Sequence, residues 1–103
     1  MTILREHIMA VYFLIEITEI HDPDQYAQYV EKAAPIVARY GGQYIVRSNR
    51  LTPLSGTWQA QRIILIRFES HAQIERCFSS TAYKQIAPLR EQSTRSKTLL
   101  IED

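Results

Sequence analysis

Apolar residues recur along this chain with two different periods, and the switches between them divide it into elements. From Ala10 to Ile17 the odd positions Val11, Phe13, Ile15 and Ile17 are large and apolar, while the even positions Tyr12, Leu14, Glu16 and Thr18 grade from apolar to polar. A period of two predicts a strand, here with one wholly buried face and one half-buried face. From Tyr26 the period changes. Tyr26, Tyr29, Val30, Ala33, Ala34, Val37 and Ala38 follow at i, i+3, i+4 spacing, with Gln28, Glu31, Lys32 and Arg39 off the stripe, which predicts an amphipathic helix. Asp22-Pro23-Asp24-Gln25 supplies its start: Asp22 accepts from orphan amides, Pro23 suits the first helical position and Gln25 can reach back as a capping box. Gly41-Gly42 ends it. Pro35 removes one helical hydrogen bond and predicts a bend.

Alternation returns over Gln43 to Ser48 and Arg62 to Glu69, with Pro53, Ser55 and Gly56 in the connection, as in a hairpin. Ser70, with Gln73 three residues on, caps a second helix. Ser79-Ser80 predicts a break before Thr81 to Arg90 continues at an angle, and Pro88 weakens the last turn. Lys97 to Glu102 is the final strand. The order is β-α-β-β-α-β, an α+β chain of ferredoxin-like architecture, in which helices cover one face of a four-stranded antiparallel sheet. Right-handed crossovers place the first and third strands at its centre. We read residues 1–8 as an N-terminal leader or extension and residues 9–103 as one ferredoxin-like domain.

Strand parity then assigns Tyr12, Leu14, Ile45, Ile63, Leu65 and either Leu99 or Leu100 to the face that the helices leave bare. Burying about five such side chains is worth roughly 1.5–3 kcal/mol each, and a second copy of the chain covers two such faces with one self-complementary patch. The expected assembly is a homodimer with an α/β barrel-like interior. The same parity places Glu16, Arg47 and Arg67 on this face, with Glu16 and Arg47 meeting over Ile63 and Arg67 stacking near Tyr12. The dimer-interface candidates are Tyr12, Leu14, Glu16, Ile45, Ile63, Leu65 and Arg67.

Composition narrows the function more than it identifies one. Twelve basic and eleven acidic side chains leave a net charge of +1, with no run of one sign, so neither a nucleic-acid stripe nor a polybasic membrane patch is present. Nucleic acid and membrane are not expected partners. A single cysteine, Cys77, excludes an intramolecular disulfide and fits a reducing, cytoplasmic setting. It lies near Ile74 and Phe78 on the apolar side of the second helix, as a small core residue does. His7, His21 and His71 have no helical pairing that suits a metal, and no cofactor motif is visible.

The chemistry-bearing candidates are Arg47, Trp58, Arg62, Tyr83 and Arg90. Tyr83 and Arg90 are seven apart on one helix, hence on one face, and Arg62 begins the third strand on the helix-facing side. A phenol and two guanidiniums at one end of the sheet can orient a carboxylate or enolate, or can serve structurally by bonding loop carbonyls. Trp58, in the hairpin connection, either lids a pocket or packs on a neighbouring helix or subunit. Tyr26, Tyr29 and Tyr40 ride the first helix, where core packing is the expected use.

Taken together, Asp22-Pro23, Tyr26, Tyr29, Gly41-Gly42, Arg47, Gly56, Trp58, Arg62, Phe68, Ser80, Tyr83 and Arg90 resemble, in order and spacing, the family catalogued as domain of unknown function 1330. The resemblance runs from Met9 onward. It departs from the family at Arg67 and Glu69, where an acidic residue and a proline are common, and at Cys77-Phe78, where an aromatic pair is common. The resemblance implies the dimeric α/β barrel group, which by analogy of fold hosts cofactor-independent oxygenases and isomerases. Two functions follow as expectations: binding or cofactor-free transformation of a small organic metabolite, or a non-catalytic homodimeric module. RNA binding on the same topology would need paired aromatics on the central strands, which this chain lacks.

Overall fold

The computed structural model describes residues 10–103; the expected leader, with His7, lies outside them. Strand β1 spans Val11–Ile20, helix α1 Pro23–Arg39, β2 Gln43–Ser48, β3 Arg62–Phe68, α2 His71–Ser79, α3 Thr81–Ser93 and β4 Thr94–Glu102. The strands pair in the order β2-β3-β1-β4, antiparallel throughout, so β1 and β3 are central as the crossovers require. This is the ferredoxin-like α+β fold, with the second helix in two pieces.

The helix ends follow local chemistry. The Asp22 carboxylate accepts from the Gln25 amide at 3.1 Å, but the Gln25 side chain does not close a capping box. It donates instead to Gln92 Oε1 at 3.0 Å, and with the His21 and Asp22 amides, which donate to Ser93 O, it ties the start of α1 to the end of α3. The Ser70 hydroxyl accepts from the Gln73 amide at 3.1 Å, and Gln73 Oε1 accepts from the Glu69 amide at 2.8 Å. Ser80 does double service: it ends α2 and accepts from the Tyr83 amide to begin α3. Helix α1 is continuous through Pro35. Helix α3 runs three residues past Arg90 and passes directly into β4, because Ser93 and Thr94 donate their hydroxyls back to the Leu89 and Arg90 carbonyls and occupy the last turn. The final strand therefore begins at Thr94 rather than Lys97.

The odd residues of β1 as far as Ile17 face the helices and join a core in which Ile17, Phe68, Cys77 and Val37 are almost wholly enclosed. A register shift after Ile17 then exposes Glu19 and turns Ile20 to the core. Leu100 stands opposite Phe13 on this side, and Leu99 opposite Leu14 on the other, so Leu99 is the open-face residue of the pair. Strand β2 departs from simple alternation. Its ladder shifts between Tyr44 and Val46, so that Ile45 and Val46 together stand against Leu65. This bulge advances the parity by one: Arg47 pairs with Ile64 on the helix side, and Ser48 takes the place beside Ile63. The expected meeting of Arg47 with Glu16 is thereby overturned. Glu16 pairs instead with Lys97, at 3.4 Å, and the arginine that stacks on a ring is Arg47, 4.4 Å from the Tyr44 centroid. Arg67 does lie opposite Tyr12.

Between α1 and β2 the chain turns through a Schellman motif. The Gly41 amide donates to Ala38 O and the Gly42 amide to Val37 O, with Gly41 at φ +84°. Gly42 is needed for space: a Cβ there would lie 2.5 Å from Val37 Cγ1 and 2.8 Å from Phe68 Cζ, both in the core. Gly42→Ala is expected to lose about 1–3 kcal/mol by overpacking, read as a lower urea midpoint at unchanged m-value. Wild-type stability in this variant would contradict the close approach of turn and core.

Candidate functional site

The space between the sheet and the helices is divided into two chambers that share Ile15 and Phe78 as a wall. The outer chamber, about 500 Å³, lies over β1 and β4, with Phe13 and Thr98 on its floor and Ile74, Tyr83, Ala87 and Arg90 of α2 and α3 above. That is the size of a small-ligand site. The inner chamber lies between α1 and the β2–β3 half of the sheet, where Tyr26, Tyr29, Tyr44, Arg47 and Arg62 surround a void of about 20 Å³. That void has room for about one water.

A continuous run of rings forms the partition. Phe13 stacks on Phe78 at 4.4 Å between centroids, Phe78 meets Tyr83 edge-on at 4.9 Å, and Tyr83 meets Tyr29 at 6.2 Å. The Tyr29 and Tyr83 hydroxyls share a buried hydrogen bond of 2.8 Å, and either can donate. Burial, with Tyr83 adding to it, pushes the Tyr29 phenol far above the ordinary range. Burial raises Tyr44 from 10.0 to about 12 against the pull of Arg47. Burial by itself disfavours the charge on Arg90, but the neighbouring Tyr83 and Tyr29 more than offset this and hold the guanidinium above its ordinary value.

Several donors in this region lack acceptors. Arg90 donates through Nη1 to Ser96 Oγ at 3.1 Å, yet its Nε is buried with no partner among the described residues, as are Arg62 Nε and the Tyr26 hydroxyl. The ion pairs among the described residues use Glu16, Glu19 and Glu75, and none reaches Arg47, Arg62 or Arg90. The inner chamber thus holds positive charge and free donors inside an aromatic and aliphatic lining, while the outer chamber sets Arg90 among apolar groups with Glu75, Lys84 and Glu91 also in its lining.

Of the predicted ligand-binding residues, Arg47 and Arg62 come together at the inner chamber and Tyr83 and Arg90 at the outer one, so the expected single cluster is two. Trp58 belongs to neither. It is 62% exposed, donates to Ser55 O at 2.8 Å, and lies with Leu14, Glu16, Ile63, Lys97 and Leu99 over the open sheet face. The contribution of Tyr26, Tyr29 and Tyr44 was missed, since periodicity marks them only as core. The available signal was chemical: a phenol on a buried stripe brings a hydroxyl that needs a partner. Cys77 is enclosed, with its thiol raised to about 11 by burial. No cluster of three potential metal ligands occurs among the described residues, and no helix there is long and apolar enough to cross a membrane.

A model of the family described as "Domain of unknown function (DUF1330)" matches residues 10–103. The chain belongs to this family. No curated protein matches it significantly. Among solved structures, a protein of unknown function from Rhodopseudomonas palustris is similar, with a TM-score of 0.73 at 16% identity, over 91% of this chain and 82% of that one. SnoaB, a cofactor-independent oxygenase from Streptomyces nogalater, gives 0.68 at 15% identity over 91% and 92%. A dimeric ferredoxin-like protein of unknown function from Thermobifida fusca gives 0.64 at 9% over 91% of each chain. At these identities the likeness to this DUF1330 chain is one of fold.

The buried acids carry a pH dependence. Tyr29, Tyr44 and Cys77 keep their protons in the folded state at pH values where the unfolded chain has released them, so stability is complete below about pH 9 and falls as pH rises toward 12. The melting temperature followed by circular dichroism is expected to decline across that window. In Tyr29→Phe it should start lower at pH 8, because Tyr83 loses its partner, and decline less steeply above pH 10. A flat wild-type profile to pH 11 would show these groups to be solvated.

Proposed function

We propose that this protein is a cytoplasmic homodimer that binds a small organic metabolite in the outer chamber and transforms it without a cofactor. One observation carries the reading: a chamber of about 500 Å³, largely apolar in surface, meets a half-buried guanidinium whose enclosed Nε has no partner among the described residues, and a buried phenol pair. Buried donors without acceptors are rare where a chain is self-sufficient, and a ligand oxygen would complete them. When Tyr29 donates to the Tyr83 oxygen, the Tyr83 hydroxyl is left for the ligand. Arg90 is then suited to hold the oxygen of an enolate, and the Tyr83 hydroxyl to deliver its proton to the adjacent carbon, forming the C–H bond as the carbonyl returns and leaving a phenolate held by Tyr29 and Arg90 until water reprotonates it. The oxygenase of like fold named above is described as cofactor-independent, which supports this class of chemistry on this scaffold.

The dimer follows from the other face of the sheet. Leu99 is 53% exposed, Ile45 48% and Ile101 41%, alongside Val46, Trp58 and the half-buried Tyr12, Leu14, Ile63 and Leu65. Monomeric proteins rarely leave so continuous an apolar patch to solvent, and the relative from Thermobifida fusca is described as dimeric. This same face favours the second reading, a structural dimer without a ligand. The two separate in one set of measurements. Sedimentation is expected to give twice the 12.0 kDa chain mass, and Leu65→Glu, which places a charge at the centre of the patch, should give a folded monomer. Native mass spectrometry or a metabolite melting screen should then find a bound compound whose stabilisation is reduced at least tenfold in apparent affinity by Arg90→Gln and by Tyr83→Phe. Melting that depends on protein concentration but on no compound would leave only the structural dimer.

A further inference from the structure

We propose that the inner chamber is a separate site for the carboxylate head of a small organic acid, entered from the β2 edge and independent of the outer chamber. The lining of this void carries two guanidiniums, Arg47 and Arg62, and no acidic side chain. Neither arginine has a carboxylate partner among the described residues. Two donors, Arg62 Nε and the Tyr26 hydroxyl, are buried there without acceptors among the described residues. A single water can accept from both but leaves the charge of Arg62 uncompensated. A carboxylate supplies two acceptor oxygens and the opposite charge, and a guanidinium is the side chain best shaped to take both oxygens.

The entrance is as informative as the void. The bulge at Ile45 and Val46 turns Arg47 to the helix side at the outermost strand, where it is exposed and held over the Tyr44 ring at 4.4 Å. A plain strand would have sent this residue to the open face. A cation stands at the mouth and a second one, with a free donor, stands within. The void holds one oxygen the size of a water. One carboxylate oxygen therefore takes that water's place beside Arg62 Nε and the Tyr26 hydroxyl, while the second stays at the mouth toward Arg47. The rest of the acid projects outward past Tyr44, where a flat unsaturated body suits the ring-lined passage.

Benzoate and its neutral analogue benzamide test this, with the Arg62 Nε–Hε resonance and the amides of Tyr26 and Tyr44 as nuclear magnetic resonance readouts. Benzoate is expected to shift the Arg62 Nε–Hε signal saturably, and benzamide to leave it in place. Arg47→Gln should weaken benzoate binding about tenfold and Arg62→Gln should abolish it, as expected for removing a charge-assisted hydrogen bond, while Arg90→Gln leaves it unchanged. Equal responses to acid and amide, no saturable shift in the folded wild-type protein, or a response that is lost in Arg90→Gln would each overturn the proposal. The wild-type titration and the exposed Arg47 variant decide the matter even if Arg62→Gln fails to fold.

Discussion

A four-stranded sheet with helices on only one side must do something with its other side, and this constraint organises the whole molecule. The central strands β1 and β3 are apolar at most positions. Half of those side chains enter the helix-side core, and the register Tyr12–Arg67, Leu14–Leu65 and Glu16–Ile63 lays the other half out as one patch. Its charged members sit at opposite ends: Glu16 is only 20% exposed and paired to Lys97, while Arg67 lies beside Tyr12 and Gln43. A patch with an apolar middle and polar ends has the composition of an association surface, core and rim.

On the covered side the limiting factor is polar rather than apolar. Helix α1 contributes two phenols to the interior, α3 a third with Arg90, and the β2–β3 edge two guanidiniums. Ring packing satisfies the carbon surface of this group, and one hydrogen bond, Tyr29 to Tyr83, satisfies part of its polarity. The remainder, the Tyr26 hydroxyl and the Nε atoms of Arg62 and Arg90, has no partner among the described residues. A core selected only for stability would place Phe at positions such as 26 and 29, since an apolar replacement removes the desolvation cost of the hydroxyl. The excess of donors over acceptors is therefore the feature of this fold on which the proposed ligand rests.

How far the sequence foretold this varies with the physics involved. Strand and helix periods located all four strands, the first helix and the break at Ser80, because burial on one side imposes a period that any reader can count. Caps were legible for the same local reason, except where Gln25 found a better partner in Gln92, 67 residues away. The bulge was not legible. Gln43 to Ser48 alternates acceptably in either register, and only pairing with β3 shows that Ile45 and Val46 share one partner. That one extra residue moved Arg47 from the bare face of the sheet, where parity had set it, to the inner chamber. The place of Trp58 over the open face was undecided in the sequence for a similar reason, since the path of a 13-residue connection, from Asn49 to Gln61, is set by contacts that periodicity does not encode.

The two faces are not independent, because they are the two sides of the same strands. Ile15 forms part of the wall between the chambers, and its neighbours Leu14 and Glu16 lie on the open face. Ile63, on the open face, is likewise adjacent to Arg62 and Ile64, which line the inner chamber. In the proposed dimer, pressing a second sheet against Leu14, Ile63 and Leu65 would restrain the backbone that carries Ile15 and Arg62. Pre-organised donors bind a ligand oxygen better than mobile ones because less ordering remains to be done on binding. In that dimer, covering the bare face would do more than dispose of apolar surface: it would also hold in place the strands from which Ile15 and Arg62 project toward the chambers.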